Sequence, residues 1–246
     1  MGNLIVSEQF FSIQGEGRTQ GVPAVFLRLG GCNLKCGYDE GTSTWKCDTW
    51  DVWHNSKKQA FWEILDFWEK QKWIEYLREG AHLVITGGEP CLYQEDLLDF
   101  LETMNTRFDI YPEVEVETNG TLEVSTLFTD AVSIFNVSPK LSNSGIEKSK
   151  RINDLFLDWF VGNASQISEK AIFKFVVTTE EDWDEIKRDF IDPHKIPNNQ
   201  IWLMPGAESK EELGVNIQKV VELCVKQNVN FSNRIHIQTW DRRKGV

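Results

Sequence analysis

Residues 81–90 read AHLVITGGEP, a run that passes within ten residues from an apolar segment to a tight turn. The apolar and β-branched part at 81–86 predicts a strand. The two glycines that follow, Gly87 and Gly88, allow the backbone to approach a neighbouring group closely. A helix is predicted at 94–105, because its apolar side chains recur at helical spacing on one face. The stretch is therefore a strand, a glycine turn and a helix in succession.

The same alternation extends along the chain in both directions. Further strands are predicted at 4–13, 23–29, 113–118, 131–137, 171–177, 200–204 and 234–239, and further helices at 57–79 and 210–227. Alternating strands and helices predict an α/β fold with a mainly parallel sheet, whose site lies at the C-terminal ends of the strands. The short motifs GGEP, ETNG, SPK and MPGA each end a predicted strand, so we expect them to share one site.

Length and composition limit what the chain can be. Its 246 residues predict a single domain, 1–246, with a polar loop at 30–55 and a possible insertion at 141–170. The formal net charge of −12 argues against nucleic acid as a partner. No apolar run reaches the length of a membrane span, and the first residues lack the pattern of a signal peptide. We therefore expect a cytoplasmic protein with no membrane partner.

The polar loop carries three of the five cysteines. Cys32, Cys36 and Cys47 follow the spacing C-x3-C-x10-C, and this clustering points to metal rather than to packing. An odd number of cysteines without a secretion signal also argues against disulfides. Three thiolates can hold three irons of a four-iron, four-sulfur cluster and leave the fourth iron open. An open iron can chelate S-adenosylmethionine, whose reductive cleavage yields a radical that takes hydrogen from unactivated carbon.

Other interpretations of these motifs remain open on spacing alone. His54 could complete a Cys3His zinc site with the three cysteines. Asp39 stands where a shorter spacing would put the third cysteine, although an iron–sulfur cluster prefers thiolate. The remaining thiols, Cys91 and Cys224, are expected to be buried packing residues. The GGEP turn suits the amino group of a bound methionine, but it also fits an ordinary turn between a strand and a helix.

Several motifs together carry a resemblance to a known family. They are FSIQGEG at 11–17, FLRL at 26–29, GCNLKC at 31–36, CDT at 47–49, TGGEP at 86–90, ETNG at 117–120, SPK at 138–140 and QT at 238–239. Their combination resembles the radical S-adenosylmethionine superfamily and, within it, the 7-carboxy-7-deazaguanine synthases. The resemblance extends from about residue 7 to the C-terminus, and the combination is far more specific than any single motif.

This resemblance implies a fold, an activity and a set of cofactors. The fold would be a modified, incomplete (β/α) barrel, usually present as a homodimer. The reaction would convert 6-carboxy-5,6,7,8-tetrahydropterin to 7-carboxy-7-deazaguanine with release of ammonia, a step toward queuosine and other 7-deazapurines. It would need a [4Fe-4S] cluster, S-adenosylmethionine, Mg²⁺ and an electron donor such as flavodoxin.

The resemblance also implies which residues contact the substrate. The stretch Ile13, Gln14 and Gly15 matches the family's substrate-binding segment, and Glu16 follows with a carboxylate that suits the donors of a pterin ring. Arg28 matches an arginine whose guanidinium suits the substrate carboxylate. Glu16 and Arg28 could equally lie in a surface turn and a surface ion pair. The other implied contacts are Thr86, Glu117, Asn119 and the chain-terminal Val246.

A second set of residues is implied for the cofactors. Cys32, Cys36 and Cys47 would hold the cluster. Thr49 would ligate Mg²⁺ through its hydroxyl, although a threonine here can also cap a turn. The residues implied to surround S-adenosylmethionine are Lys46, Asp48, Gly88, Glu89, Ser138, Pro139, Lys140, Met204, Pro205, Gly206 and Ala207.

Three features depart from the family pattern. Ten residues separate Cys36 from Cys47, whereas the commonest superfamily spacing has two, and we interpret the excess as an insertion before Cys47. Lys46 replaces the usual aromatic residue, so Trp45 or Tyr38 is expected to pack against adenine. Trp240 stands where some relatives have histidine.

Two alternative functions are compatible with parts of this pattern. A radical enzyme that activates a glycyl-radical protein would share the cysteine loop and the GGEP turn. A non-enzymatic, zinc-stabilised binding module would share only the cysteines. The motifs at distant strand ends favour the synthase over both.

Overall fold

The computed structural model describes residues 2–37, 43, 45–47, 50–161, 167–243 and 245–246. Within them the strands are β1 Asn3–Ile13, β2 Pro23–Leu29, β3 Lys57–Ala60, β4 His82–Gly87, β5 Val114–Thr118, β6 Ile134–Val137, β7 Ala171–Val177, β8 Ile201–Pro205 and β9 Asn230–Phe231. The helices are α1 Trp50–Trp53, α2 Phe61–Lys70, α3 Trp73–Arg78, α4 Gln94–Phe108, α5 Thr126–Ala131, α6 Lys148–Arg151, α7 Asp154–Val161, α8 Ile167–Lys170, α9 Glu180–Ile186, α10 Asp192–His194, α11 Lys210–Gln227 and α12 Ile235–Trp240. Single 3-10 turns occur at Pro90–Tyr93, Ser142–Ser144 and Asn198–Gln200, and one π-helical turn at Lys187–Ile191.

All these strands belong to one sheet in the order β3-β1-β2-β4-β5-β6-β7-β8-β9. The strands from β2 to β9 are parallel, whereas β1 runs antiparallel to its neighbours β2 and β3. Among the described residues, the edge strands β3 and β9 do not pair with each other, so the sheet is open. The predicted incomplete (β/α) barrel with a mainly parallel sheet is therefore confirmed.

The two faces of the sheet differ in what they bury. Leu27 and Leu29 of β2 point into the large core that the helices cover, together with Ile85 of β4. Residues between them point the other way, because side chains alternate along a strand. On that second face, Phe26 stacks on Phe10 with ring centroids 4.7 Å apart, beside Val84. We call the second face the inner face.

The helix-covered core contains a group of aromatic rings near the N-terminal strands. Trp68 of α2 is fully buried and meets Phe100 of α4 edge to face, with ring centroids 5.6 Å apart. Its indole Nε1 donates to the side-chain oxygen of Gln9 on β1 at 2.7 Å. Helix α2 is therefore attached to the antiparallel strand by both packing and a hydrogen bond.

Two sequence predictions were wrong. The predicted helix 57–79 begins with strand β3, which pairs with the start of β1, and it is interrupted where Lys72 adopts a left-handed conformation. The predicted strand 234–239 is helix α12, although its alternating isoleucines resemble a strand pattern. In addition, α1 lies within the segment 30–55 that was predicted as a loop. Over the described ranges, the structure contains no helix both long and apolar enough to cross a membrane.

Replacing Trp68 by alanine should lower the free energy of unfolding by about 3–5 kcal/mol, because it leaves a large cavity in the core. Urea denaturation of the apoprotein, followed by circular dichroism, measures the change. Trp62 on the same helix is 52% exposed, so Trp62→Ala is the matched control and should change stability by less than about 0.5 kcal/mol. Equal losses in the two variants would contradict the placement of α2.

Candidate functional site

The reversed direction of β1 places the candidate site residues at two opposite edges of the inner face. The cysteine loop follows β2 and lies at the C-terminal ends of the parallel strands, which we call the upper edge. The turn between β1 and β2, residues 14–22, lies at their N-terminal ends, and we call it the floor turn. Ala24 pairs with His82 near the floor, and Arg28 pairs with Thr86 four residues farther along. That difference corresponds to about 13 Å of strand.

At the upper edge the three loop cysteines lie together. Cys32, Cys36 and Cys47 belong to one contact cluster with three further side chains, Leu34, Trp45 and Ile146. The backbone N–H of Leu34 donates to the Cys32 Sγ at 3.5 Å, and the Asn119 side chain donates to the same sulfur at 3.9 Å. Hydrogen bonds to ligand sulfurs are a feature of iron–sulfur sites. Three gathered thiols with donors aimed at one of them therefore fit a cluster that has three protein ligands.

Burial raises the pKa of the Cys32 thiol to about 11, although the hydrogen bond from Leu34 opposes the shift. Such a thiol needs a metal cation to stay ionised, because a buried thiolate is otherwise costly. No three His, Cys, Asp or Glu side chains of the described residues are placed to hold one metal ion. The zinc interpretation with His54 thus gains no support from them, and His54 stacks on Trp50 with ring centroids 5.3 Å apart. Asp39 lies outside the described residues.

The glycine turn after β4 supports the start of the cysteine loop through its backbone. The Gly88 N–H donates to Leu29 O at 3.0 Å, and the Glu89 N–H donates to Gly31 O at 2.9 Å. A Cβ at Gly88 would lie 1.6 Å from Gly31 O and 3.1 Å from the Cys32 N, so only glycine fits there. These amides already have protein acceptors, and the turn therefore positions the loop directly.

Two residues of the predicted site connect this turn to the end of β5. The buried Glu89 carboxylate accepts hydrogen bonds from the Cys91 and Asn119 N–H groups at 3.0 and 2.7 Å, and from the Thr118 hydroxyl at 2.7 Å. Burial raises the pKa of Glu89, while these hydrogen bonds act against the shift. The Asn119 amide also donates to the Asn33 side chain at 2.9 Å. Glu89 and Asn119 thus use these polar atoms to connect the glycine turn, the end of β5 and the cysteine loop.

The remaining predicted cofactor residues are distributed along the upper edge. Ser138, Pro139 and Lys140 follow β6, and the Ser138 N–H donates to Thr118 O at 2.7 Å. Met204 and Pro205 end β8, and Gly206 and Ala207 follow them. Lys46 is exposed beside Cys47, and Val246 is half-buried after α12. Tyr38, Asp48 and Thr49 lie outside the described residues.

Below the cysteines, polar side chains project from the inner face. Arg28 donates from Nε to Glu8 at 3.1 Å, and its guanidinium lies over the Phe10 ring at 5.9 Å. Next to Arg28, the Thr86 hydroxyl donates to the Glu117 carboxylate at 2.6 Å. The predicted substrate residues Arg28, Thr86 and Glu117 therefore lie on one face, at the height where β2, β4 and β5 approach the upper edge.

Closer to the floor, a carboxylate that the sequence analysis did not single out connects four elements. Glu115 is fully buried and lies 2.5 Å from the His82 ring nitrogen. It accepts hydrogen bonds from Thr19 at 2.9 Å, Asn136 at 3.1 Å and Gln14 at 3.3 Å. The Gln14 amide also donates to Glu117 at 3.3 Å. Gln14 thus lies between two carboxylates and points into the inner face.

Glu16 forms a second buried charge group with residues from distant elements. Its two oxygens contact Lys174 of β7 and the Arg234 Nε, the latter at 3.1 Å, and the His236 ring lies 3.8 Å away. Burial alone would raise the pKa of Glu16, but the charges of Lys174, Arg234 and His236 outweigh it and hold the pKa well below its ordinary value. Burial would lower the pKa of Lys174, yet Glu16 and Glu117 raise it. Glu16 is thus an ionised, paired carboxylate rather than a surface residue.

The segment before and within α12 attaches the C-terminal region to the floor turn. The Ile235 N–H donates to Gly15 O at 3.0 Å, and the Gly17 N–H donates to the Ser232 hydroxyl at 2.8 Å. A Cβ at Gly15 would lie 2.4 Å from the His236 ring. Ile13 ends β1 directly before this turn. The predicted substrate stretch is therefore held between the sheet and the C-terminal segment.

Comparison with known proteins finds a family match and full-length relatives. Residues 13–135 match the family described as a 4Fe-4S single cluster domain. The chain is 34% identical over 243 residues to 7-carboxy-7-deazaguanine synthase from Pyrobaculum aerophilum, covering 98% of this chain and 96% of that one. It is 28% identical to the synthase from Clostridium acetobutylicum, covering 98% of both chains. The crystal structure of QueE from Escherichia coli is similar, with a TM-score of 0.60, 25% identity, and coverage of 94% of this chain and 93% of that one.

Replacing Gly88 by alanine should displace the Gly31–Cys32 backbone, because the new Cβ would overlap it. After anaerobic reconstitution, iron should fall from about four per chain to fewer than about one. Gly214 in α11 has no heavy atom near the position of a Cβ, so Gly214→Ala is the matched control. It should bind iron normally and gain slightly in stability. Full iron in Gly88→Ala would refute the support that we assign to this turn.

The depressed pKa of Glu16 predicts how stability depends on pH. Below the ordinary pKa of 4.5, the unfolded chain takes up a proton at Glu16 while the folded chain does not, so ionised Glu16 stabilises the protein above that pH and the contribution declines as the pH falls. Glu16→Gln should therefore lose less thermal stability than the unmodified apoprotein between about pH 5 and pH 3. Glu102→Gln, at an exposed position of α4, should follow the unmodified protein. Parallel curves for all three proteins would contradict the buried pairing of Glu16.

Proposed function

Because the chain belongs to the family of 7-carboxy-7-deazaguanine synthases, we propose that it converts 6-carboxy-5,6,7,8-tetrahydropterin to 7-carboxy-7-deazaguanine. The ring contracts and ammonia is released, as a step toward queuosine and other 7-deazapurines. The observation that best supports this proposal is the gathering of Cys32, Cys36 and Cys47 at the upper edge of a polar inner face. A cluster site and a small-molecule site then share one side of the sheet.

The cluster and S-adenosylmethionine would occupy the upper edge. Cys32, Cys36 and Cys47 would ligate three irons and leave one for the methionine group. When bound, these cofactors supply a carbon-centred radical that removes a hydrogen atom from the substrate. The residues proposed to surround S-adenosylmethionine are Lys46, Asp48, Gly88, Glu89, Ser138, Pro139, Lys140, Met204, Pro205, Gly206 and Ala207. Of these, Glu89 acts through its hold on the end of β5, because its carboxylate is already fully used.

The substrate would lie on the inner face between the cysteines and the floor turn. Arg28 would bind its carboxylate, since the contact with Glu8 uses only the Nε–H and a guanidinium has four further donors. Glu117, held by Thr86 and Gln14, would accept hydrogen bonds from the pterin ring. Glu16 contributes its charge to the same face from the floor turn. No strong side-chain base is needed for the removal of hydrogen.

A small heterocycle suits this face better than a protein substrate does. The floor turn and the segment that carries Ser232 and Arg234 cover the edge opposite the cysteines. Arg28, Thr86 and Glu117 lie on adjacent strands at one height of the inner face, which suits a compact polar ligand. Activation of a glycyl-radical protein and zinc-dependent binding are therefore both disfavoured.

Other parts of the proposal concern partners of the reaction. Thr49 would ligate a Mg²⁺ ion that also contacts the substrate carboxylate. An electron donor such as flavodoxin and a homodimeric assembly are part of the proposal because the family resemblance implies them. A cytoplasmic location is proposed from the sequence pattern alone. The acidic net charge of −12 favours the absence of nucleic acid from the partners.

The reconstituted and reduced protein, given carboxytetrahydropterin, S-adenosylmethionine and Mg²⁺, should form carboxydeazaguanine that chromatography and mass spectrometry detect. Arg28→Gln should raise KM for the pterin about 10- to 100-fold, because a charged hydrogen bond to the substrate is lost. Arg107→Gln, which removes an exposed cation that pairs with Asp66 and Glu69, should leave KM unchanged. Formation of deoxyadenosine without carboxydeazaguanine would defeat the proposed substrate and leave the radical chemistry standing.

A further inference from the structure

We propose that the long gap between Cys36 and Cys47 is closed at its base, so that the two cysteines face the cluster as if only two residues separated them. We further propose that the turn at 141–146 locks this base in place. The inference rests on the proposed cluster, but it does not depend on which substrate the radical attacks. It concerns residues 38–45, which the family pattern leaves unexplained.

The two ends of the gap touch each other. A Cβ at Gly37 would lie 2.4 Å from Trp45 O and 2.5 Å from the Lys46 Cα. The Gly37 backbone, with φ of 77°, is therefore in direct contact with the backbone just before Cys47. The chain leaves at Gly37 and has returned by Lys46. If the residues between Gly37 and Lys46 are left out, the sequence is Cys36-Gly37-Lys46-Cys47. The two cysteines are then spaced as in a C-x2-C motif.

Both ends of the gap are also bonded to the same turn. The Gly37 N–H donates to Ser144 O at 2.9 Å. The Trp45 indole donates to the Asn143 side-chain oxygen, also at 2.9 Å. Ile146 of the same turn packs in the contact cluster with the cysteines. The turn at 141–146 thus holds both ends of the gap, Gly37 and Trp45, next to the three cysteines.

Buried charges hold the turn from behind. The Glu185 carboxylate accepts from the Ser142 N–H at 2.7 Å and from its hydroxyl at 2.5 Å. Asp182 accepts from the Asn143 amide at 3.1 Å, which orients the oxygen of that amide toward Trp45. Arg151, only 4% exposed, pairs with Glu185 at 2.8 Å. This support makes the turn a firm partner for the gap.

Asn143 is accordingly a positioning residue for the cluster, acting through Trp45. Removing its oxygen releases the Trp45 side chain, two residues before Cys47, and leaves all three cysteines in the protein. The expected consequence is a cluster that forms but is lost more easily. Because Trp45 lies two residues before Cys47, the effect should appear mainly in cluster retention.

The test measures iron and sulfide per chain, the rate of iron loss to a chelator, and the electron paramagnetic resonance spectrum of the reduced protein. Asn143→Ala should lose iron about fivefold faster than the unmodified protein. The thermal stability of its apoprotein should fall only modestly, because two side-chain hydrogen bonds are lost. Gly37→Ala should lose most of its iron. Gly80 has φ of 104° and no heavy atom near the position of a Cβ, so Gly80→Ala carries a comparable backbone strain without the contact. It should retain its iron.

Deleting residues 38–45 provides the most direct measurement, because it leaves Cys36-Gly37-Lys46-Cys47 as a continuous chain. The deletion variant should still bind about four irons. Iron retention in Gly37→Ala equal to that of Gly80→Ala would overturn the proposal, as would a folded deletion variant that binds no iron. A wild-type protein that binds the cluster but makes no carboxydeazaguanine would defeat the proposed substrate and leave this inference intact.

Discussion

Backbone contact between Gly88 and Gly31 is the constraint on which the upper edge of this protein depends. The two segments approach so closely that no side chain fits between them, and the Gly88 and Glu89 amides have their acceptors in the segment that contains Gly31. The contact transmits the position of β4 to Cys32, the first of the proposed cluster ligands, without any flexible side chain. Glu89 extends the same rigidity to β5 through its hydrogen bonds to Thr118 and Asn119. The start of the cysteine loop is thus fixed by the C-terminal ends of β4 and β5.

The opposite edge is held by charge rather than by close backbone packing. Burying a carboxylate is costly unless its oxygens are paired, and both Glu115 and Glu16 are paired within the protein. The partners come from elements that are far apart in the chain, so each carboxylate fixes several elements at once. A core made only of apolar side chains could bring these elements together, but it would not fix the direction in which Gln14 and Glu16 point.

Much of the architecture could be predicted, because local pattern and global fold agree. The strand at 171–177 and the helix at 210–227 lie where the sequence indicates. The segment 57–79 failed because β3 is a short polar edge strand, which has no hydrophobic period of its own. The prediction for 234–239 is wrong because Ile235 and Ile237 alternate as in a strand, while tertiary contacts to the floor turn stabilise a helix instead.

The motifs located the candidate site, but they did not reveal how its residues are held. The alternation VEVET in β5 places Glu115 on the same face as Glu117, and this signal could have identified it. Similarly, the single lysine in AIFKFVV indicates a buried charge that needs a partner, which the structure shows to be Glu16. Its identity could not be read from the sequence, since it lies 158 residues away. The self-contact of the cysteine gap is equally a property of three-dimensional structure.

Strand β2 connects the floor turn to the upper edge of the sheet. It begins directly after the floor turn and ends directly before the cysteine loop. Its seven residues therefore set a distance of about 20 Å, from Pro23 to Leu29, between the floor turn and the start of the cysteine loop. Adding or removing one residue would not merely change this length. It would turn Arg28 away from the inner face and into the helix-covered core. A residue added to the loop at either end would leave this alternation unchanged, whereas a residue added within the strand would reverse it.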